Sequence, residues 1–246
     1  MIDSMTHENT TNSTETTPAA SRLRFRWILI LATIVAMGAG GWAYRQNHRY
    51  KHVAIHDPGK VIRCAWVEAD VMAELVQKHQ VKTVLNLCRP GEMGPDRARQ
   101  ERMAVEAAGA KLIELSLPDI DDPSSPLIAP HIAVLKDPAN YPLIVHCQHG
   151  FNRTGRVLTM YDVMFRGKTG EEALSKMPLF GRHDYAPLEH AFARNFDVFY
   201  AAEKAKEAAG EKPDQSTPSL TTEHVETAVP AIEQTSFQEG TGKPSR

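Results

Sequence analysis

The stretch Tyr141–Gly155, YPLIVHCQHGFNRTG, constrains this chain more tightly than any other. YPLIVH is a short apolar run bounded by turn chemistry, the pattern of a buried strand. It delivers Cys147, Arg153 follows six residues later, and a helix is predicted to begin near Thr154. A loop of that length can curl until successive backbone N–H groups point at one tetrahedral anion. The following helix adds the partial positive charge of its N-terminus. Arg153 would close the ring with a planar fork that pairs two oxygens of the anion.

The same field acts on the thiol. A free cysteine, with a pKa of about 8.5, is only about 3% ionised at neutral pH, whereas one at a helix N-terminus beside an arginine is mostly thiolate. Cys147 is therefore expected to be a nucleophile, with Thr154 donating its hydroxyl to the sulfur. Gly150 and Gly155 suit a backbone that turns sharply or approaches a ligand closely. Gln148, His149, Phe151 and Asn152 complete the loop, Gln148 and Phe151 being expected at its rim. His149 is the one variable position able to carry a positive charge.

The pattern HC-x5-R-T-G, set between a strand and a helix, resembles the signature of the cysteine-dependent protein tyrosine phosphatase superfamily. The short domain is similar to the dual-specificity branch, including bacterial members that are similar to the atypical inositol-phosphate phosphatases of fungi and plants. The resemblance runs from VIRCAW at Val61 through KTVLNL and DPANYPLIVHCQHGFNRTG to the helix after Gly170, about half of the chain. It implies an α/β sandwich with a largely parallel central sheet flanked by helices. It also implies hydrolysis of phosphomonoesters through a cysteinyl-phosphate, with no metal and no cofactor. The implied substrates are phosphotyrosine and, in a shallow pocket, phosphoserine or phosphothreonine. A phosphoinositide or inositol phosphate is the alternative, weakened by the lack of lysine in the loop. A pseudophosphatase that grips phosphorylated ligands is a further alternative, although both Cys147 and Arg153 are present. A sulfur transferase or arsenate reductase is disfavoured by Thr154-Gly155 after the arginine.

Such an enzyme needs a proton donor for the leaving oxygen, and the family supplies an aspartate from a loop upstream of the cysteine. LPDIDDP offers Asp119, Asp121 and Asp122, with Asp119 nearest the preceding strand and 28 residues before Cys147. Clustered carboxylates should raise one another's pKa, which favours a protonated donor. Cys88 ends a run, TVLNLC, that resembles the phosphatase-and-tensin lipid phosphatase. There the equivalent thiol pairs with the nucleophile, so Cys88 is either a resolving cysteine or a plain core cysteine. Cys64 has no expected role. His183 and Asp184, in GRHDYAP, are candidate substrate contacts or simple surface residues.

Around this centre the chain alternates strand-like and helix-like patterns from residue 58 to 202, as an α/β fold requires. Upstream, Trp27–Tyr44 holds no charge; at 1.5 Å per residue it would span about 27 Å, close to a hydrocarbon core. Residues 22–45 are therefore expected to form a transmembrane anchor, with contact to the membrane through 27–44. Ala36-Met37-Gly38 leaves a cleaved signal peptide open. Three cations flank each side, so orientation is undetermined. Residues 46–57 are expected to be a linker. Residues 1–21 and the acidic tail within 203–246 are too polar to offset chain entropy and are expected to be disordered. A net charge of −2 provides no basic surplus for nucleic acid. Three scattered cysteines make neither a disulfide framework nor a zinc site. The expected partners are a phosphorylated protein or a phosphoinositide, and the membrane.

Overall fold

In the computed structural model, residues 18–210 are described; most of the two polar tails lies outside them. Helix α1 (Pro18–Arg49) contains the apolar run and extends beyond it at both ends. Its segment Phe25–Gln46 reaches a mean hydropathy of 1.6, is not buried against the rest of the protein, and is long and apolar enough to cross a membrane.

Five strands follow: β1 (Ala54–Asp57), β2 (Val61–Ala65), β3 (Thr83–Asn86), β4 (Lys111–Glu114) and β5 (Leu143–Cys147). They lie in the order β1-β2-β5-β3-β4. β1 pairs antiparallel with β2, and all other pairs are parallel. The sheet is thus largely parallel, as expected. The expected linker, however, contains the edge strand β1, whose four residues, AIHD, carry too little pattern to be read alone.

Helices α2 (Ala69–His79) and α3 (Pro95–Ala107) cover one face. α4 (Ala129–Lys136), α5 (Asn152–Arg166), α6 (Gly170–Ser175) and α7 (Pro187–Ala208) cover the other. Parallel strands need such crossovers, and a strand covered on both faces buries every position rather than alternate ones. β5 is accordingly buried along its whole length. Its side chains still divide by the period of two. Leu143, Val145 and Cys147 enter the α4–α7 core, and Ile144 the α2–α3 core. The same alternation along β2 sends Ile62 and Cys64 to the α2–α3 core, so Cys64 and Cys147 occupy opposite faces. Cys147 ends the central strand at the carboxyl edge, the usual ligand position of an open α/β sheet.

Candidate active site

Between β5 and α5 the chain turns through Gln148–Phe151. α5 starts at Asn152, two residues earlier than expected, so Arg153 stands in its first turn. Gly150 makes the turn possible. Its φ is +60°, and a Cβ there would sit 2.3 Å from the Cys64 carbonyl oxygen and 2.4 Å from the Ala65 nitrogen. Only glycine fits where two backbones touch at a left-handed φ. Gly155 faces Tyr185, whose ring a Cβ would meet at 2.7 Å.

The loop floors a cavity of about 300 Å³ lined by Cys147, His149, Phe151, Asn152 and Arg153. Asp119, Arg89, Arg182, Leu188 and Glu189 join them from other elements. Cys147 is buried, and the Thr154 hydroxyl donates to its sulfur at 3.3 Å. Gln148 is exposed and does not line the cavity, and Phe151 lines it as a buried side chain. The Phe151 ring stacks on Tyr185 at 4.2 Å and carries the Arg182 guanidinium on it at 4.6 Å. Stacking of this kind satisfies a large apolar ring better than exposure does. Partial burial and neighbouring cations hold the His149 pKa below its ordinary value, which disfavours a positive charge at this position.

Arg153 is not a free fork. Its Nη1 donates to the Leu87 carbonyl at 2.9 Å and to Glu92 at 2.7 Å, and its Nη2 donates to Glu92 at 2.6 Å. A guanidinium has five N–H groups. Those three bonds leave Nε–H and one Nη2–H, the pair that forms a bidentate edge. Glu92 therefore holds the group from behind and leaves an anion-binding edge available. Hydrogen bonding from Arg153 keeps the Glu92 carboxyl below its usual pKa. Glu92 lies 61 residues from its partner in the chain, and nothing in its local sequence announces the contact.

Asp119 also lines the cavity, whereas Asp121 and Asp122 do not. One Asp119 oxygen accepts from Arg89 and the other from Arg156 at 3.2 Å. Arg156, buried in α5, also donates to the carbonyls of Pro118 at 2.8 Å and Ile120 at 3.0 Å, clamping the aspartate loop on both sides. Behind it, Glu189 approaches its Nε at 3.6 Å, and burial pushes the Glu189 carboxyl up. The expected mutual raising of the aspartates does not hold for Asp122. Hydrogen bonds from the Ser124 side chain and backbone lower its pKa instead, because local donors outweigh distant like charges at an exposed turn.

Cys88 is half-buried just after β3, where the Leu87 N–H donates to the His146 carbonyl at 2.9 Å. Its thiol is free, and burial, then Cys147, push its pKa to about 12. Asp184 pairs with His190 at 3.1 Å, and His183 is exposed; neither lines the cavity.

Residues 56–195 match the family described as "DSP-PTPase phosphatase fused to NAD+ Kinase". None of the curated proteins matches the chain. Among solved structures, TpbA of P. aeruginosa, in complex with pTyr, is 25% identical, covering 61% of this chain and 96% of that one at a TM-score of 0.45. The core catalytic domain of the PP-IP phosphatase SIW14 from S. cerevisiae is 16% identical, covering 66% of this chain and 95% of that one. Its TM-score of 0.50 marks a shared fold. The family match spans more than half of the chain and includes the whole cysteine loop, and the protein therefore belongs to the DSP-PTPase family of phosphatases.

Proposed function

We propose that this protein hydrolyses phosphomonoesters, phosphotyrosine first among them, by a two-step cysteine mechanism. The observation that carries the reading is that Cys147, whose sulfur accepts from the buried Thr154 hydroxyl, lines one cavity with Arg153 and Asp119 at the end of the central strand. Cys147 thiolate attacks phosphorus while the bond to the leaving oxygen breaks. Asp119 protonates that oxygen, and the alcohol departs. In the second step Asp119 takes a proton from water, whose oxygen attacks phosphorus. The P–S bond breaks, the thiolate returns and Thr154 stabilises it, and hydrogen phosphate leaves. For the first step Asp119 must release Arg89 or Arg156, since both of its oxygens are engaged. No step calls for a metal or cofactor.

Cys88, half-buried with its thiol free, keeps two readings: a plain core cysteine, or a resolving thiol that condenses with a Cys147 sulfenic acid formed by a peroxide, giving a disulfide and water. Helix α1 is assigned as a single-pass anchor through residues 27–44, because its segment Phe25–Gln46 is long and apolar enough to cross a membrane and is not buried in the protein. Arg89 and Arg182 on the cavity wall favour a second reading, a substrate with further anionic groups such as an inositol phosphate or phosphoinositide. They supply the cations that the loop itself lacks.

The test is turnover by the purified full chain of an aryl phosphate, phosphopeptides and phosphoinositides under reducing conditions. Cys147→Ser should abolish turnover and leave substrate binding intact. If this variant turns over as fast as the wild type, the nucleophile has been misassigned. Binding without turnover by the wild type would make the protein a pseudophosphatase.

A further inference from the structure

The loop is held from its outer side at three successive carbonyls. Gln148 O accepts from the Trp66 N–H at 3.3 Å, His149 O meets His52 Nδ1 at 2.7 Å, and Gly150 O accepts from Arg63 Nη2 at 2.8 Å. In a planar trans peptide the C=O and the next N–H point in opposite directions. Pulling these three oxygens outward therefore turns the N–H groups of His149, Gly150 and Phe151 the other way, to the concave side where an anion nest forms. Two of the three clamps come from β2 and the residue just after it. The middle one comes from outside the phosphatase core.

His52 stands three residues beyond the end of α1. The segment carrying it is fixed on all sides. Arg49 pairs with Asp70 at 2.7 Å, the Tyr50 hydroxyl donates to Glu74 at 2.5 Å, and the Lys51 carbonyl accepts from the Ala65 N–H at 3.0 Å. His52 itself adopts φ 55°, unusual for a residue with a side chain, and its ring stacks on Phe180 at 4.3 Å. Such a conformation persists where surrounding contacts over-determine it, and it clusters at functional sites. A carbonyl oxygen only accepts, so Nδ1 carries the proton. Burial keeps the ring's pKa below its ordinary value, in keeping with a neutral imidazole of that tautomer at neutral pH.

We propose that His52 is a positioning residue for the phosphate loop, so that the short segment leaving the membrane-type helix forms part of the framework of the active site. It aims the Gly150 N–H at the bound phosphoryl group by holding the His149 carbonyl. The proposal rests on the phosphatase reading above. It adds that removing the juxtamembrane segment, or displacing it by moving α1, weakens anion binding in a cavity it never enters.

Three substitutions in the full chain separate the donor from the ring. His52→Phe keeps the stacking on Phe180 and removes the donor. His52→Asn keeps a short donor and tolerates the positive φ. His52→Ala removes both. With an aryl phosphate as substrate and vanadate as inhibitor, His52→Phe and His52→Ala should each lower kcat/KM and vanadate affinity about tenfold, the scale of one lost hydrogen bond. His52→Asn should restore most of both. A purely structural role would shift the unfolding midpoint of all three and leave vanadate affinity of the folded protein unchanged. Wild-type values of kcat/KM and vanadate affinity in His52→Phe overturn the proposal while leaving the phosphatase reading intact. A wild-type chain that neither turns over substrate nor binds vanadate overturns both. Should the variants fail to fold, ring ¹⁵N shifts of His52 in the wild type decide: a protonated Nδ1 is required, and a protonated Nε2 with bare Nδ1 refutes the assignment.

Discussion

Glu92 grips Arg153 through both carboxylate oxygens, at 2.7 and 2.6 Å, from a loop 61 residues away. The pair fixes the guanidinium plane before any ligand arrives, and pre-organisation of this kind reduces what binding must otherwise spend on ordering a side chain. Glu92→Gln preserves shape and removes the charge. Steady-state kinetics with an aryl phosphate should show kcat/KM lower by about tenfold to a hundredfold, matching the roughly 1.5–3 kcal/mol of a charge-assisted hydrogen bond. An unchanged value would mean that Arg153 orients itself.

Arg156 and Glu189 form a buried pair behind the aspartate loop. Arg156→Met frees the carbonyls of Pro118 and Ile120 and leaves a buried carboxyl alone. Removing one partner of such a pair costs about 3–5 kcal/mol, measurable by urea unfolding. The double variant Arg156→Met/Glu189→Gln should recover part of that loss while activity stays low, because the Asp119 loop remains unclamped.

Thr154→Val is nearly isosteric and removes the hydrogen bond to the Cys147 sulfur. If this bond helps the thiolate leave in the second step, hydrolysis of the intermediate slows more than its formation. Rapid-quench kinetics should then show a burst of released alcohol followed by a steady rate reduced roughly tenfold or more. A uniform slowing without a burst would assign Thr154 to the first step.

Gly150→Ala meets the backbone of Cys64 and Ala65 at 2.3–2.4 Å on top of a positive φ, and neither neighbour is a flexible side chain. Thermal unfolding should reveal a loss of about 3 kcal/mol or more, at the upper end of overpacking costs. Gly109→Ala is the control. It shares a positive φ of +87° but has nothing within 4 Å, so its cost should stay near 1–2 kcal/mol, that of the left-handed conformation alone.

His131, buried in α4 with Nε2 at 3.2 Å from the Leu115 carbonyl, is held by desolvation at a pKa of about 4 against an ordinary 6.5. The folded state therefore binds fewer protons than the unfolded chain between these values, and stability must fall as the pH drops from 6.5 to 4. The full effect is about 3 kcal/mol, at 1.36 kcal/mol per pH unit. Urea titrations across this range should show the loss in the wild type and its reduction in His131→Gln.

The sequence alone determined what is local. The buried strand before Cys147, the glycine at the turn and the arginine six residues on form one continuous unit, so spacing was enough to read them. The helix following Cys147 and the apolar stretch of α1 were likewise legible, since each lies within one continuous run of residues. Tertiary structure decided what depends on chain segments meeting from afar. Nothing within the sequence around Glu92, Arg156 or His52 distinguishes these residues from solvated surface; they acquire roles only when the sheet brings their segments to the carboxyl edge of β5. β1 escaped notice for the same reason, because a four-residue edge strand is defined by its pairing with β2 rather than by any pattern of its own. The electrostatics followed the same division: helix and loop placed charge around the cysteine, but which carboxylates would meet an arginine depended on contacts between residues tens of positions apart.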